Sequence, residues 1–379
     1  MSSNDRPIHA GAYKQVLGIW HISCFLEIAQ INPLSKTTQP KSPNNTRPVA
    51  LLPKLSKITE RVVQQQLLEF IKSHNLLGAQ QSCYKQGHST QTALLGVLDD
   101  VKFAIEHRKL TILVLFDFSK AFGCIPHKAL LIKLQKMGIS RLSLAWFFNY
   151  LQGRQQAVRI DRARHSGYRP IASGVPQGSV LEPLLFGLYS SDLPTVLVHC
   201  KCRKYALVKR DSQAVSNWAV ANGLEVNETK TQVIILGSLP YVSAIDLANL
   251  RKIRINNTPL KYATEVKNLG VIINQTIDWN LHEGKVQSKV YSYLAILRLH
   301  RRSLSFTLKT QLIKSLVIPH FDYTSVIYMH VDKTRGNYLQ IAHNACIRFI
   351  HGYVSFIPTN DINIHLTHLA AEAGLAFTS

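Results

Sequence analysis

Residues Thr111 to Phe122 read TILVLFDFSKAF, and the rest of the chain is organised around them. The run Ile112 to Phe116 is continuously apolar and rich in β-branched and aromatic side chains, the composition of a buried strand. It delivers a single carboxylate, Asp117, at its end. An acid so placed needs a partner. That partner could be a lysine, as an ordinary ion pair, or a divalent cation such as Mg²⁺, which is held by one or two carboxylates together with substrate phosphates.

Composition narrows the classes around this strand. The 379 residues have room for two or three domains, and 46% hydrophobic content supports a packed core, which excludes a disordered chain. Forty-four lysines and arginines oppose twenty-two acids, giving a formal net charge of +22. Such an excess asks for a polyanionic partner, with nucleic acid the first class to consider. No stretch is apolar for long enough to span a bilayer, so no membrane partner is expected. The six cysteines, at 24, 83, 124, 200, 202 and 346, are dispersed and no secretory signal precedes them. Reduced, intracellular thiols are therefore expected. His199, Cys200 and Cys202 match no common zinc spacing.

Residues Met1 to Gln30 carry little pattern. Between Ile31 and Pro53 five prolines and the pair Asn44-Asn45 predict an extended, irregular lead-in that displays Lys36, Lys41 and Arg47. A helix follows Pro53, with Ile58, Val62, Val63, Leu67, Phe70 and Ile71 at helical spacing and Glu60, Arg61 and the glutamines elsewhere. The polar segment Gln80 to Thr92 turns at Gly87 and offers Ser89 or Thr90 as the cap of a second helix, reaching about His107. Beyond Asp117 comes a short helix with Leu130, Leu131, Leu134 and Met137 on one face, closed by Gly138.

The second compact signal is SGVPQGSVLEPLLF, Ser173 to Phe186. Gly174, Pro176 and Gly178 predict a tight turn with exposed backbone amides, leading into an apolar helix toward Val198. Glycine lets such a turn approach a base or sugar, although turns of this kind are also ordinary punctuation. In the C-terminal third a strand pair is expected, Arg251 to Ile255 with Asn268 to Ile273. A helix through Val286, Val290, Leu294 and Leu297 then ends in Arg298, His300, Arg301 and Arg302. That basic end suits a phosphate backbone, and suits the helix dipole equally well. His127, His282 and His343 read as satisfied surface or core histidines.

Seven segments in order resemble the reverse transcriptase of non-long-terminal-repeat retrotransposons, particularly the jockey-like elements. They are NTRPVALLPKLSKITE from Asn45, QQSCYKQGHSTQTAL from Gln80, VLFDFSKAF from Val114, SGVPQGSVLEPLLF from Ser173, NGLEVNETKTQVIILGS from Asn222, VKNLGVIIN from Val266 and ACIRFI from Ala345. The resemblance covers roughly Ile31 to Tyr353. It implies an α+β, right-hand polymerase fold: a divergent segment over 1–30, fingers over 31–110, palm over 111–240, and a mostly helical thumb region over 241–379. It also implies an RNA template, a DNA primer and deoxynucleoside triphosphates as partners, and Mg²⁺ as cofactor. Asp117 stands at the first catalytic, metal-binding aspartate, Phe122 at the steric gate against a ribose 2′-hydroxyl, and Gln177 at a residue touching the incoming nucleotide. Arg47 and Lys85 fall on fingers motifs that face nucleotide or template phosphates.

The resemblance breaks at one place. The family carries Tyr-Ala-Asp-Asp on a hairpin beside the first strand, whereas Tyr205-Ala206 here is followed by Leu207-Val208. Both aspartates, the rest of the hairpin and most of the following helix are expected to be missing around 206–212, leaving an incomplete palm sheet with an exposed edge. Asp211, between Arg210 and Ser212, is the nearest substitute acid and is expected to pair with its cationic neighbours. With one carboxylate for two ions, polymerase chemistry is expected to be lost. Gly123 stands where the family has a second aspartate, Cys83-Tyr84-Lys85 where it has Gly-Phe-Arg, and Glu182 where it has glycine, a replacement expected to strain the turn. The family's amino-terminal endonuclease is not expected in a chain that begins so close to the fingers. Three readings stand: a catalytically dead polymerase, a nucleic-acid-binding remnant, or an unstable translation of a decayed element.

Overall fold

The computed structural model describes residues 28–352, apart from 36–37, 40–41, 43–44, 79–80, 83–84, 86, 160, 162–163, 198–204 and 329–332. Lys36, Lys41, Cys24, Cys83 and the His199, Cys200 and Cys202 group therefore lie outside the described residues. Helices and strands are mixed along the chain. Strands β1 (Ile28–Ser35) and β2 (Thr46–Leu51) precede helix α1 (Lys54–Ser73), and helix α2 (Thr90–Glu106) leads into β3 (Thr111–Leu115) and β4 (Phe118–Ser119). Helices α3 (His127–Lys136) and α4 (Arg141–Leu151), strands β5 (Gln155–Val158) and β6 (Arg169–Pro170), and helices α5 (Glu182–Tyr189) and α6 (Tyr205–Ala221) follow. Then come β7 (Glu225–Val226), β8 (Gln232–Leu236), α7 (Leu239–Ser243), β9 (Arg254–Ile255), β10 (Thr258–Pro259), β11 (Lys261–Ala263), β12 (Glu265–Asn268) and β13 (Val271–Asn274). Helices α8 (Asn280–Leu299), α9 (Phe306–Leu312), α10 (Ile318–Asp322), α11 (Ser325–Tyr328) and α12 (Lys333–His351) complete the described chain.

The chain divides into two compact units, each assembled from separate stretches. The first holds residues up to His88 with Phe116–Thr231 and Arg251–Lys261. Its sheet runs β2-β1-β5-β6, and Ala29, Ile31, Ala50 and Leu52 form the buried cluster there. Leu130, Leu134, Leu151, Leu181, Leu184 and Leu185 from α3, α4 and the entry to α5 are completely buried. The second unit holds Ser89–Leu115, Gln232–Leu250 and the chain from Tyr262 onward. There Leu94, Leu98 and Val101 of α2 pack against Ile234 and Leu236 of β8 and Val271 and Ile273 of β13. A separate cluster joins Val286, Val290 and Leu294 of α8 to Ala342, Cys346 and Ile350 of α12.

Local chemistry explains most boundaries. Ser89 caps α2 through a reciprocal pair with Thr92, each side chain accepting the other's backbone N–H, which satisfies two donors a helix start otherwise leaves orphaned. Gly138 closes the end of α3 at φ +86°. The lead-in is a correction. Ile31 to Pro53 is not irregular, because β1 and β2 pair antiparallel with Pro33 directly opposite Pro48. The Ile31 carbonyl bonds the Arg159 N–H on the β5 side, so Pro33, two residues on, also faces that side, beyond the last β1–β5 pair at Ile31 and Val158. A missing N–H is harmless where no partner waits for it.

Three further expectations change. Residues Arg251 to Ile255 do not pair with Asn268 to Ile273: β9 pairs with β10 across Asn256-Asn257, and β12 with β13 across Leu269-Gly270. All four turn residues have positive φ, the signature of the two-residue hairpin turn, and the Tyr323 hydroxyl donates to the Leu269 carbonyl to hold the second. The helix expected to be lost after Tyr205 is present, since α6 runs from Tyr205 itself. Asp211, Ser212, Val215, Ser216 and Ala219 recur on its buried face at helical spacing. Strand β3 is half-buried rather than buried, because it lies at the edge of the sheet β11-β8-β3 and among the described residues pairs only with β8.

Candidate nucleotide and catalytic site

Asp117 is fixed by its backbone. Its carbonyl accepts the Asn227 N–H at 2.7 Å, and its own N–H donates to the Thr231 hydroxyl at 3.3 Å. The loop Asn227–Thr231 is itself tied: the Asn227 side chain accepts from the Thr229 hydroxyl and the Lys230 N–H, and Thr231 is completely buried. The same loop brings Lys230 Nζ to 3.8 Å from Asp117 Oδ2, with both side chains substantially exposed. A lysine, one of the two partners open to this acid, thus stands beside it. An exposed pair at that distance contributes about 0–1 kcal/mol. Lys230 is a site residue that inspection of the sequence missed, although it sits inside the NETKT segment.

Phe122 lies in a single tight turn, Ala121–Gly123, entered through Lys120 in the left-handed region at φ +47°. Its ring packs at 4.9 Å, tilted, on that of Phe186 in α5. Its carbonyl accepts the Val175 N–H, and the Gly174 N–H donates to the Ile125 carbonyl. A Cβ on Gly174, which has φ +84°, would stand 2.7 Å from the Gly123 backbone, so this crossing demands glycine. Gly123 itself has open space where a side chain would project. His127, buried beneath, bonds the Gly174 carbonyl through Nε2 at 2.7 Å.

Gln177 follows on the same turn, half-buried, and its carbonyl accepts the Ala50 N–H of β2 at 2.8 Å. The structure thus brings the Phe122 turn, the Gln177 turn and the strand carrying Arg47 together. Arg47 is exposed on β2, paired in register with Leu34. Lys85 is half-buried in a turn closed by the His88 N–H on its own carbonyl.

Beneath the Gln177 turn lies a polar group absent from the expected site. Glu60, expected off the apolar face of α1, lies on its buried face with Val63, Leu67 and Ile71, and is 1% exposed. Its Oε2 accepts the Val180 N–H at 2.5 Å, and its Oε1 accepts the hydroxyls of Ser56 and Tyr150. Gln64, one turn along α1, donates to the Val180 carbonyl at 3.0 Å. Glu182 does not strain the turn. It occupies the first turn of α5 with no positive φ, its carboxylate accepts the Gly178 N–H, and its own N–H donates to Ser179 Oγ. Burial pushes its pKa up, the Gly178 N–H opposes that shift, and the neighbouring Glu60 adds to it. Arg154, 2% exposed, lies over the Tyr150 ring and donates to the Tyr150 carbonyl. Tyr150 is pushed far above its usual range, chiefly by burial and then by Glu60.

The residues present do not fit a pair of Mg²⁺ ions. Asp117 brings one carboxylate with an ammonium beside it, and the positions after Ala206 are Leu207 and Val208 at the start of α6. Among the described residues no three acids, histidines or cysteines gather as a metal site. Asp211 is 8% exposed and partnered, on the buried face of α6, while Lys209 and Arg210 are exposed. Cys124 and Cys346 are free thiols. Among the described residues no helix is long and apolar enough to cross a membrane.

Comparison with known proteins gives this arrangement its context. The chain is 24% identical over 347 residues, 85% of its length, to a probable RNA-directed DNA polymerase from the transposon X-element of Drosophila melanogaster. It is 25% identical over 92% of its length to the RNA-directed DNA polymerase from the mobile element jockey of the same species. It spans 37% and 40% of those two proteins. Among solved structures, a Candida tropicalis telomerase in complex with a telomeric RNA fragment superposes on 93% of the chain, and the chain on 62% of it, at 12% identity and TM-score 0.47. Residues 39–273, well over half of the chain, match the model of the reverse transcriptase (RNA-dependent DNA polymerase) family, so the chain belongs to that family, with relatives among the non-long-terminal-repeat retrotransposons.

Proposed function

We propose that the chain is a reverse transcriptase domain that binds an RNA template paired with a DNA primer, and a deoxynucleoside triphosphate, without joining them. One observation carries the reading: Leu207 and Val208 follow Tyr205-Ala206, and that segment opens a helix. Among the described residues, Asp117, accompanied by Lys230, is then left without the anionic neighbours that two divalent ions need. The nucleotide-facing side is better supported, because the Phe122 and Gln177 turns are bonded to each other's surroundings and to β2. A net charge of +22 supplies the attraction for a phosphate backbone.

The test pairs two assays on one RNA–DNA hybrid. With Mg²⁺ or Mn²⁺ present, no primer extension is expected, while affinity falls steeply as salt rises. Extension that disappears in Asp117→Ala would overturn the reading. Absence of both extension and salt-sensitive binding, with no cooperative unfolding transition, would favour an unstable remnant.

A further inference from the structure

The turn that carries Gln177 is gripped from a distant part of the chain. Glu60 accepts the N–H of Val180, 120 residues away, and Gln64 donates to the carbonyl of the same residue. The two side chains are four residues apart on α1, hence on one face, and together they satisfy the Val180 N–H and carbonyl as a neighbouring strand would. Ala50, on the strand leading into α1, bonds the Gln177 carbonyl at 2.8 Å. One continuous segment, Thr46 to Ser73, thus holds the turn at both ends. From inside the turn, Glu182 occupies the Gly178 N–H.

A surface turn would leave these amides to water, and a purely hydrophobic α1 would leave the part-buried Val180 N–H unpaired. Placing a carboxylate at 1% exposure is unfavourable unless its oxygens are filled, and here they are, by Val180, Ser56 and Tyr150. Glu60 is thus committed to the position of the turn. Small shifts of a turn bearing a nucleotide-facing side chain change affinity out of proportion to their size.

We propose that Glu60 and Gln64 are positioning residues: they fix the Pro176–Val180 backbone so that Gln177 meets an incoming deoxynucleoside triphosphate. The proposal rests on the reading that this turn faces the nucleotide. Glu182 reinforces the turn locally, whereas Glu60 and Gln64 couple it to α1.

The experiment uses the full chain with Glu60→Ala, Glu60→Gln and Gln64→Leu. Hydrogen exchange is followed in the peptide covering Pro176 to Leu181, with the α2 peptide as internal reference. Capture of a photo-reactive deoxythymidine triphosphate analogue is measured on the protein bound to an RNA–DNA hybrid. Glu60→Ala and Gln64→Leu are expected to speed exchange in the turn by about tenfold or more, the factor for losing a buried hydrogen bond. They are expected to weaken nucleotide capture by a similar factor, with affinity for the hybrid unchanged. Glu60→Gln, which keeps an acceptor for Val180, is expected to stay within about threefold of wild type. Should Glu60→Ala fail to fold, Gln64→Leu, altering a half-buried side chain, carries the test alone. Turn exchange unchanged in Gln64→Leu overturns the clamp, and a loosened turn with undiminished nucleotide capture overturns the positioning role. If wild type binds neither hybrid nor nucleotide, the functional reading falls, while the exchange data still decide whether the clamp exists.

Discussion

Asp117 and the Gln177 turn lie in the same compact unit, and they are held in opposite ways. Asp117 is tied through its backbone alone: the carbonyl to Asn227, the N–H to Thr231, and a side chain left half in solvent beside Lys230. The Gln177 turn is held from four directions, by Ala50, Glu60, Gln64 and Glu182, with Gly174 pressed on Gly123 besides. The difference separates two kinds of dependence. A turn whose partners are spread over β2, α1 and α5 takes its position from contacts distant in sequence, so each of them can be removed singly. An acid held only through its main chain keeps its backbone in place while its carboxylate stays half in solvent beside Lys230.

The largest expected effect falls on the turn. Glu60→Ala removes the acceptor of three hydrogen bonds, leaving two buried hydroxyls and the part-buried Val180 N–H without it. A loss of about 2–4 kcal/mol in urea unfolding is expected, since each buried donor orphaned beside a lost charge is destabilising. A loss below about 1 kcal/mol would show that Glu60 does not hold the turn, and the contrast with Asp117 would collapse.

Glycine substitution sharpens the same contrast from the backbone side. Gly174→Ala must place a Cβ 2.7 Å from the Gly123 backbone at φ +84°, and about 2–3 kcal/mol of stability should be lost. Gly123→Asp, at the position where the family carries an acid, meets open space and should change stability by no more than about 0.5 kcal/mol. Thermal or urea unfolding of both variants checks the ordering.

Next in size is a pH effect. The pKa of Glu182 is raised above its usual 4.5, first by burial. An acid with a raised folded-state pKa contributes stability that is present below the unfolded value and lost as pH rises through the folded one. The stability of wild type relative to Glu182→Gln should therefore fall as pH rises from just below 4.5 toward neutrality. A difference that is flat across that window would mean that Glu182 is not desolvated at the turn.

Much of this was legible from residue patterns, and what was not has physical causes. Ser89 as a cap, Gly138 as a stop and Asp117 after a β-branched run are local signals, and the structure contains each of them. The β1–β2 pair was hidden because proline vetoes a strand only where an N–H is required, and among the described residues Pro33 lies beyond the last β1–β5 pair. The β9–β10 and β12–β13 hairpins were hidden because Asn256-Asn257 and Leu269-Gly270 were not recognised as turn pairs. Glu60 was hidden because Ile58 and Val62, expected on the apolar face of α1, are exposed, and the face that is buried carries Ser56 and Glu60 with Val63, Leu67 and Ile71.

The smallest effect is expected at Asp117, and it completes the comparison. Asp117→Asn leaves both backbone bonds intact and removes only an exposed ion pair at 3.8 Å. Stability should change by less than about 0.5 kcal/mol, because exposed pairs are screened and entropically offset. Removing the acid beside Lys230 adds one unit to a net charge of +22, so on the proposed reading affinity for an RNA–DNA hybrid at low salt should rise by about twofold or less. The informative measurement is the thermal midpoint with and without Mg²⁺ in wild type and in this variant. An ion bound at Asp117 would raise the wild-type midpoint by mass action and leave the variant where it was. Equal midpoints in all four samples are the expectation, because one carboxylate facing an ammonium is a poor ligand set for a cation that sheds its water reluctantly. A Mg²⁺-dependent rise confined to wild type would instead mean that another acid reaches Asp117 in solution, and that the weakly held region is the one that metal assembles.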